Sequence, residues 1–335
     1  MYPNSIVVVN PSTTAVEKSF FAGGEPMSIR IGSNLAYVGF VGTGSVQQFS
    51  LPGFSPTLQW SLGLDPSTGT TLFPRDMQVE PGAPHTVAIS VANWWESTLP
   101  LEVAIYDDGV QRPVVAPTSF GQLLEYSFLQ WDNASTLYAI NADTGPSNGF
   151  YTLSVNGSGV SLANNYPLTY NNDFRIHFDP GTGYVYEDNG EIIDPTTGVV
   201  VYTLPASGLV IPDSSHNRIF VLGQNGSLNP PAIDVAIEVF DQTTYASLGL
   251  MPIRELVGIP SNFIRWGNSG LAFATVNGVF WEGGLTGAYA PGPGMLYLID
   301  SAQVNSAITK PANPGAFEHV HAWKRPNPSR LKQER

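Results

Sequence analysis

Residues 192–201 read Ile-Ile-Asp-Pro-Thr-Thr-Gly-Val-Val-Val, a run of β-formers, a polar turn and a second run of β-formers. The aspartate favours the turn because its side chain can accept a hydrogen bond from the backbone two residues further along. The same order returns in Ile6–Thr13 and Ile237–Thr244, and weaker copies complete a series of turns at residues 10, 50, 107, 156, 194, 241 and 300. The chain is therefore built from a repeated unit of short strands.

The spacing of these turns indicates the fold. Successive turns are 38 to 59 residues apart, which is the length range of a β-propeller blade and leaves room for four short strands. In 27–62, for example, we expect strands at 27–31, 35–41, 46–50 and 58–62, with the first one innermost. The sequence predicts an all-β fold, a β-propeller of six to seven four-stranded antiparallel blades.

The two ends of the repeat series do not match each other. Residues 5–22 supply a third and a fourth strand, and 262–300 supply the first three strands of a blade. Either the N-terminal strand closes the last of six blades, or one of seven blades lacks two strands. Since closure removes exposed edges, we expect 5–22 to pair with the sheet of 262–300. Residues 1–309 would form a single propeller domain, and 310–335 a basic, poorly ordered tail that packs little.

Composition excludes several classes of function. The 335 residues contain no cysteine, which rules out disulfides, thiolate metal sites and cysteine nucleophiles. Residues 1–309 hold 8 basic and 25 acidic side chains, and the other 6 basic ones lie in 310–335. So acidic a body should repel nucleic acid and anionic membranes. No apolar run has the length of a membrane span, and no signal peptide is visible at the start of the chain.

Several segments carry a resemblance to a known group. Gly24–Pro26, Leu35–Gly39 and Val46–Phe49 are together similar to the YVTN-type β-propeller repeats of bacterial surface-layer-like proteins. Val103–Val110 and Ile264–Phe273 resemble a subgroup common in exported proteins of soil bacteria. The resemblance covers about residues 5–302. It implies an extracellular or cell-surface propeller, and its members tend to begin with one more pair of strands. It implies no particular activity.

Arginines on the expected inner strands are the first candidate ligand-binding residues. Arg30, Arg175 and Arg265 each stand between large apolar residues. Strand alternation sends the apolar pair to one face and the arginine to the other. We expect all three to reach the central channel and at least two of them to contact a carboxylate there, from the set Asp76, Glu125, Asp173 and Asp213.

Aromatic residues in long loops are the second candidate set. Trp94, Trp95 and Trp281 lie in loops that should emerge on one face of a propeller, where binding sites often sit. Combined with an arginine ring, they would suit an anionic or sugar ligand. The alternative is that the arginines only neutralise neighbouring carboxylates and the tryptophans only pack on adjacent blades.

No arrangement of residues predicts a reaction. Glu318-His319-Val320-His321 places two imidazoles on one face of a strand, but a catalytic zinc site needs a third ligand. We assign no catalytic residue, no metal and no cofactor. The first hypothesis is a non-enzymatic, exported binding or interaction scaffold with a ligand site at the channel mouth. Its partner would be an anionic small molecule, a polysaccharide or a protein. The alternative is a propeller lyase or hydrolase acting on an anionic polysaccharide.

Overall fold

A computed structural model of the chain describes residues 5–93, 100–118, 126–141, 149–168, 175–225, 234–253, 256, 258–276, 295–300, 304 and 320–324. These residues form a six-bladed β-propeller of antiparallel sheets and, beside it, a separate two-stranded hairpin. The predicted fold class is confirmed. No helix in the described part of the chain is long and apolar enough to cross a membrane.

The hairpin comes first along the chain and is followed by the blades in order. The hairpin consists of β1 (Ser5–Val9) and β2 (Val16–Phe21). The first blade consists of β3 (Pro26–Gly32), β4 (Leu35–Phe40), β5 (Ser45–Ser50) and β6 (Ser55–Ser61). The second consists of β7 (Phe73–Glu80), β8 (Ala83–Ala92) and β9 (Pro100–Asp107), with β10 (Val110–Gln111) and β11 (Ala116–Pro117) both paired to β9. The third consists of β12 (Phe128–Asn133), β13 (Thr136–Ile140), β14 (Gly149–Asn156) and β15 (Gly159–Pro167).

The remaining three blades repeat the same plan. The fourth consists of β16 (Ile176–Asp179), β17 (Tyr184–Glu187), β18 (Glu191–Asp194) and β19 (Val199–Thr203). The fifth consists of β20 (Leu209–Asp213), β21 (Arg218–Asn225), β22 (Asp234–Asp241) and β23 (Ser247–Ile253), with a 3₁₀ helix at Ser214–His216. The sixth consists of β24 (Ile259–Trp266), β25 (Gly270–Val276), β26 (Met295–Asp300) and β27 (Val320–Lys324).

The apolar core is divided into layers between successive blades. Strand alternation gives each sheet two faces, and in the middle strands both faces are covered; all six residues of β4 are buried. Tyr37 of the first blade and Met77 of the second share one layer, and Tyr138 of the third and Val185 of the fourth share another. The inner strands β3, β7, β12, β16, β20 and β24 contact one another in that order. They therefore line the centre of the fold.

Closure differs from the sequence prediction. Within the described residues β1 pairs only with β2, and the fourth strand of the last blade is β27, which pairs with β26 through Tyr297 and Ala322. The expectation that 5–22 complete the sheet of 262–300 is wrong, because Val320–Lys324 take that place. Apart from these five paired residues, the segment 310–335 lies outside the described residues, and the expectation that it packs little stays a prediction.

The hairpin packs against the first blade instead. Ile6 and Phe20 lie on an apolar cluster formed by β4 and β5. The Phe20 ring is 5.7 Å from that of Phe49 and 5.4 Å from that of Phe54, and Lys18 Nζ donates to the Gly53 carbonyl at 2.8 Å. The described residues thus form six blades and a hairpin that packs on the first blade without joining its sheet.

Candidate functional site

Arg30 reaches from the first blade to the second. On β3 the side chains of Ser28 and Arg30 point to the side that the second blade covers. Arg30 Nη2 donates to Asp76 Oδ1 at 2.5 Å, and Asp76 Oδ2 accepts the backbone N–H of Leu129 in the third blade at 2.9 Å. The Asp76 side chain is only 3% exposed, against 25% for Arg30. One buried carboxylate therefore connects three inner strands.

Arg175 lies one residue before β16 and reaches back toward the third blade. Its guanidinium carbon lies 4.5 Å from the centre of the Phe128 ring, and that of Arg75 lies 5.9 Å from the same ring. A guanidinium at such a distance is attracted by the electrons of the aromatic face. Phe128 thus brings together two cations from neighbouring blades.

Several charged side chains lie close enough to Arg175 to act on it. Burial lowers the pKa of Arg175, and the charges of Asp76, Arg30, Asp188 and Arg75 also act on it. Among the described residues no carboxylate lies within ion-pair distance of Arg175. The guanidinium groups of Arg30, Arg75 and Arg175 and the carboxylates of Asp76 and Asp188 thus act on one another. We call Arg30, Arg75, Asp76, Phe128 and Arg175 the arginine cluster.

Asp188 lies in the fourth blade, at the edge of the arginine cluster. Its Oδ1 lies 2.9 Å from His177 Nε2 and accepts the backbone N–H of Val210 in the fifth blade, also at 2.9 Å. The neighbouring Glu187 is fully buried, and burial raises the pKa of its carboxyl to about 9. At neutral pH Glu187 is therefore uncharged, so it adds no negative charge to the cluster.

Arg265 belongs to a different group of residues. Its Nε lies 3.0 Å from Asp213 Oδ2, and its two terminal nitrogens donate to the carbonyls of Gly270 and Asn268. Its guanidinium also lies 5.5 Å from the Phe220 ring centre. The donors of Arg265 are thus engaged by the protein itself, and no contact within the described residues joins it to the arginine cluster.

Asp213 also contacts a serine and a histidine, but not in a catalytic arrangement. Burial alone would raise the pKa of Asp213, yet hydrogen bonds from Ser215 and His216 and the charge of Arg265 bring it below its ordinary value. Ser215 Oγ lies 2.9 Å from His216 Nδ1, the same nitrogen that Asp213 contacts. A serine relay needs the hydroxyl on one ring nitrogen and the carboxylate on the other. These residues therefore do not form a nucleophilic triad.

The structure brings together only part of the predicted site. Arg30 and Arg175 meet in the arginine cluster, while Arg265 is bound separately. Trp94, Trp95 and Trp281 lie outside the described residues, as do Glu125 and Asp173, and the proposed role of the tryptophans stays a prediction. The described residues contain no group of three metal-ligating side chains.

Sequence reasoning missed two members of the cluster. Arg75 stands between Pro74 and Asp76, so the pattern of an arginine flanked by large apolar residues passed over it. Phe128 begins an inner strand, where a phenylalanine is ordinarily a core residue. A search for any charged residue on an inner strand would have found Arg75.

Comparisons with known proteins identify the fold of this chain but assign it to no family. No family model matches the chain, and no curated protein matches it. Among solved structures it is similar to "Dihydro-heme d1 dehydrogenase NirN in complex with DHE", with a TM-score of 0.57 and 16% sequence identity. The match covers 97% of this chain but only 62% of the other, so the chain spans less than two thirds of that protein. At this identity the likeness establishes one thing, that the chain has a β-propeller fold.

Proposed function

We propose that the protein is a non-enzymatic binding scaffold whose arginine cluster holds an anionic ligand at the mouth of the central channel. The ligand would be a small molecule or a polysaccharide that carries carboxylate or similar groups. In keeping with the YVTN-type resemblance, we place this scaffold outside the cell or on its surface. A propeller fold is compatible with many functions, so the proposal depends on the site and not on the fold.

Arg175 is the observation that carries the proposal. The nearby Arg30 is neutralised by Asp76 at 2.5 Å, whereas no described carboxylate is within ion-pair distance of Arg175. Keeping a partly buried cation without an ion-pair partner among the described residues costs free energy, and a bound anion would lower that cost. The planar guanidinium presents a fork of donors that matches a carboxylate, and the Phe128 ring fixes its position from one side.

The test is the affinity of an Arg175→Gln variant for a panel of anions. The panel contains oligosaccharides of uronic acids, simple dicarboxylates and, because the similar structure is named for a heme-type ligand, a heme compound. A hydrogen bond to a charged group is worth about 1.5–3 kcal/mol, so loss of Arg175 should weaken binding by about tenfold or more. Titration calorimetry measures this directly.

Arg112→Gln is the matched control. It removes the same charge, but Arg112 pairs with Asp107 on the second blade, with its Nε 2.7 Å from Oδ2. The control variant should bind like the wild type. Equal loss of affinity in both variants, or no affinity of the wild type for any anion, would refute the proposed site. Formation of shorter products from a bound polysaccharide would instead support the lyase or hydrolase alternative.

A further inference from the structure

One exposed turn of the third blade contains an Asn-Gly pair. β14 ends at Asn156 and β15 begins at Gly159. Gly157 and Ser158 form the turn between them, and both are exposed, as is Asn156. Glycine has no Cβ, so the backbone after an asparagine rotates most freely toward the asparagine side chain when glycine follows. Asparagine is also one of the thermolabile residues of proteins. Asn156 thus has the local sequence and the access to water that loss of a side-chain amide requires.

The hydrogen bonds of this turn favour attack on the amide carbon of Asn156. Asn156 Oδ1 accepts the backbone N–H of Ser158 at 2.8 Å, which holds the side chain beside the backbone of the turn. The same N–H would stabilise the negative charge that develops on this oxygen when Cγ is attacked, as the donors of an oxyanion hole do. The attacking atom is the backbone nitrogen of Gly157, and within the described part of the chain it donates no hydrogen bond. The electrophile is therefore held in place while the nucleophile is not engaged elsewhere.

A second Asn-Gly pair lacks one of these conditions. The sequence contains five such pairs, and for two of them, at Asn156 and Asn189, both residues lie in the described part of the chain. Asn189 Oδ1 accepts the backbone N–H of Glu191 at 2.7 Å, much as Asn156 Oδ1 accepts its own donor. However, the backbone N–H of Gly190 donates to the Glu187 carbonyl at 2.9 Å, and Gly190 is buried. The nitrogen that would attack Asn189 is thus bound and shielded from water.

We propose that Asn156 is a site of spontaneous deamidation in the folded protein. The backbone nitrogen of Gly157 attacks Cγ of Asn156, the Cγ–Nδ2 bond breaks, and ammonia leaves with the proton that the backbone nitrogen has lost. The succinimide ring that results then takes up one water molecule. Opening of the ring at Cγ gives aspartate. Opening at the backbone carbonyl carbon gives isoaspartate, in which the chain continues through Cβ and Cγ.

Isoaspartate at this position would disturb the contact between the second and third blades. The Ser158 carbonyl accepts the backbone N–H of Val114, which lies between β10 and β11, at 2.8 Å. Arg112 Nη1 donates to the Asn156 carbonyl, also at 2.8 Å. The turn has little room to move, because even a Cβ added at Gly159 would meet the Val114 carbonyl. Since isoaspartate adds one carbon atom to the chain, these bonds cannot all keep their geometry, and the contact between the blades is weakened.

The experiment follows deamidation of the full-length protein by mass spectrometry. The protein is kept at mildly alkaline pH, checked for folding by circular dichroism and cut into peptides at intervals. We expect the peptide with Asn156 to gain one mass unit about tenfold faster than the peptide with Asn189, because the hydrogen bond of the Gly190 N–H must break before Asn189 reacts. In protein unfolded by urea the two peptides should react at similar rates, since the fold makes the difference.

Gly157→Ala is the test variant, and Asn189 is its internal control. A Cβ at Gly157 would meet nothing within 4 Å, so the variant should fold normally. It should react about tenfold more slowly at Asn156, because the added Cβ hinders the attack, and keep the wild-type rate at Asn189. Equal rates at Asn156 and Asn189 in the folded wild type, or reaction at Asn156 only after unfolding, would overturn the proposed site.

Amide hydrogen exchange tests the effect on the blades. The Val114 amide hydrogen should exchange faster in aged wild-type protein than in fresh protein. It should not do so in aged Gly157→Ala or in freshly prepared Asn156→Asp, which carries aspartate without isoaspartate. Unchanged exchange at Val114 in protein that contains isoaspartate would overturn the effect on the contact between the second and third blades.

Discussion

Asp76 connects the first three blades, and its replacement by alanine should destabilise the propeller strongly. The variant loses the hydrogen bond from Arg30, which is worth about 1.5 kcal/mol because Arg30 is partly solvated. It also leaves the buried N–H of Leu129 without its 2.9 Å acceptor, a further cost of about 1–3 kcal/mol. Together these losses lower the free energy of unfolding by about 3 kcal/mol.

Two further variants separate these contributions. Asp76→Asn keeps an oxygen for the Leu129 N–H and removes only the charge. It should therefore lower the free energy of unfolding by about half as much as Asp76→Ala. Arg30→Met should be costly in the wild type and nearly neutral in the Asp76→Ala background. The difference, a coupling energy of about 1 kcal/mol, isolates the ion pair.

Urea unfolding followed by tryptophan fluorescence is a suitable assay. Trp131 is 3% exposed, and its Nε1 donates to the Gln78 carbonyl of the second blade at 3.0 Å, so it reports the interface that Asp76 crosses. Asp194→Ala is the control, because the bonds of Asp194 stay within its own exposed turn. If both alanine variants lose equal stability, or if Arg30→Met costs the same in both backgrounds, the three-blade connection does not contribute as argued.

Three more outcomes are expected. Glu187 binds a proton up to about pH 9 in the folded state and only up to about 4.5 in its ordinary state, so the wild type should lose stability as pH rises between these values. Glu187→Gln should lack this loss, and parallel pH profiles of the free energy of unfolding would contradict it. Phe20→Ala removes a ring that packs on two rings of the first blade and should speed limited proteolysis within 5–21, whereas an unchanged cleavage rate would show that the ring does not hold the hairpin. Gly44 has a φ of +55°, and a Cβ there would meet the Leu72 carbonyl, so Gly44→Ala should cost about 2–3 kcal/mol. Gly82→Ala is the control, because its Cβ would meet nothing within 4 Å. Thermal melts should show a smaller loss of stability for this variant, and equal losses would contradict the close contact at Gly44.

The blades could be predicted from the sequence because their turns are set by local interactions. Asp194 Oδ1 accepts the backbone N–H of Thr196, and Asp241 Oδ1 accepts those of Thr243 and Thr244. Asn10 does the same in the hairpin. Such bonds span two or three residues, so each turn is visible in the sequence itself, and the strands on either side follow from alternation.

Closure of the last blade could not be predicted, since it depends on distant parts of the chain. β27 pairs with β26 although 19 residues separate them, and its sequence, Val-His-Ala-Trp-Lys, follows no recognisable turn. Residues 5–22 looked equally suitable by strand content alone. In the structure Ile6 and Phe20 of that segment pack on the first blade instead, a contact that no local pattern reveals.

Carboxylate contacts of two arginines could be predicted from the sequence, but not which arginines come together, and the ligand-binding role of these residues stays a prediction. The alternation rule placed Arg30 and Arg265 opposite apolar neighbours, and both contact carboxylates that were named in advance, Asp76 and Asp213. Which arginines come together depends on where each one stands relative to its inner strand. Arg175 precedes its strand while Arg265 lies near the end of its own, so a shared pattern led to separate clusters.

The apolar layers between successive blades give this circular fold a direction. Apolar layers join each blade to the next, and the described residues show none that joins the sixth blade to the hairpin. Within the described residues the layers between blades form a row with two ends, in which an end blade opens against one neighbour and a middle blade against two. Amide hydrogens should therefore exchange slowest in the third and fourth blades and fastest in the sixth, and unfolding should proceed from that end inward.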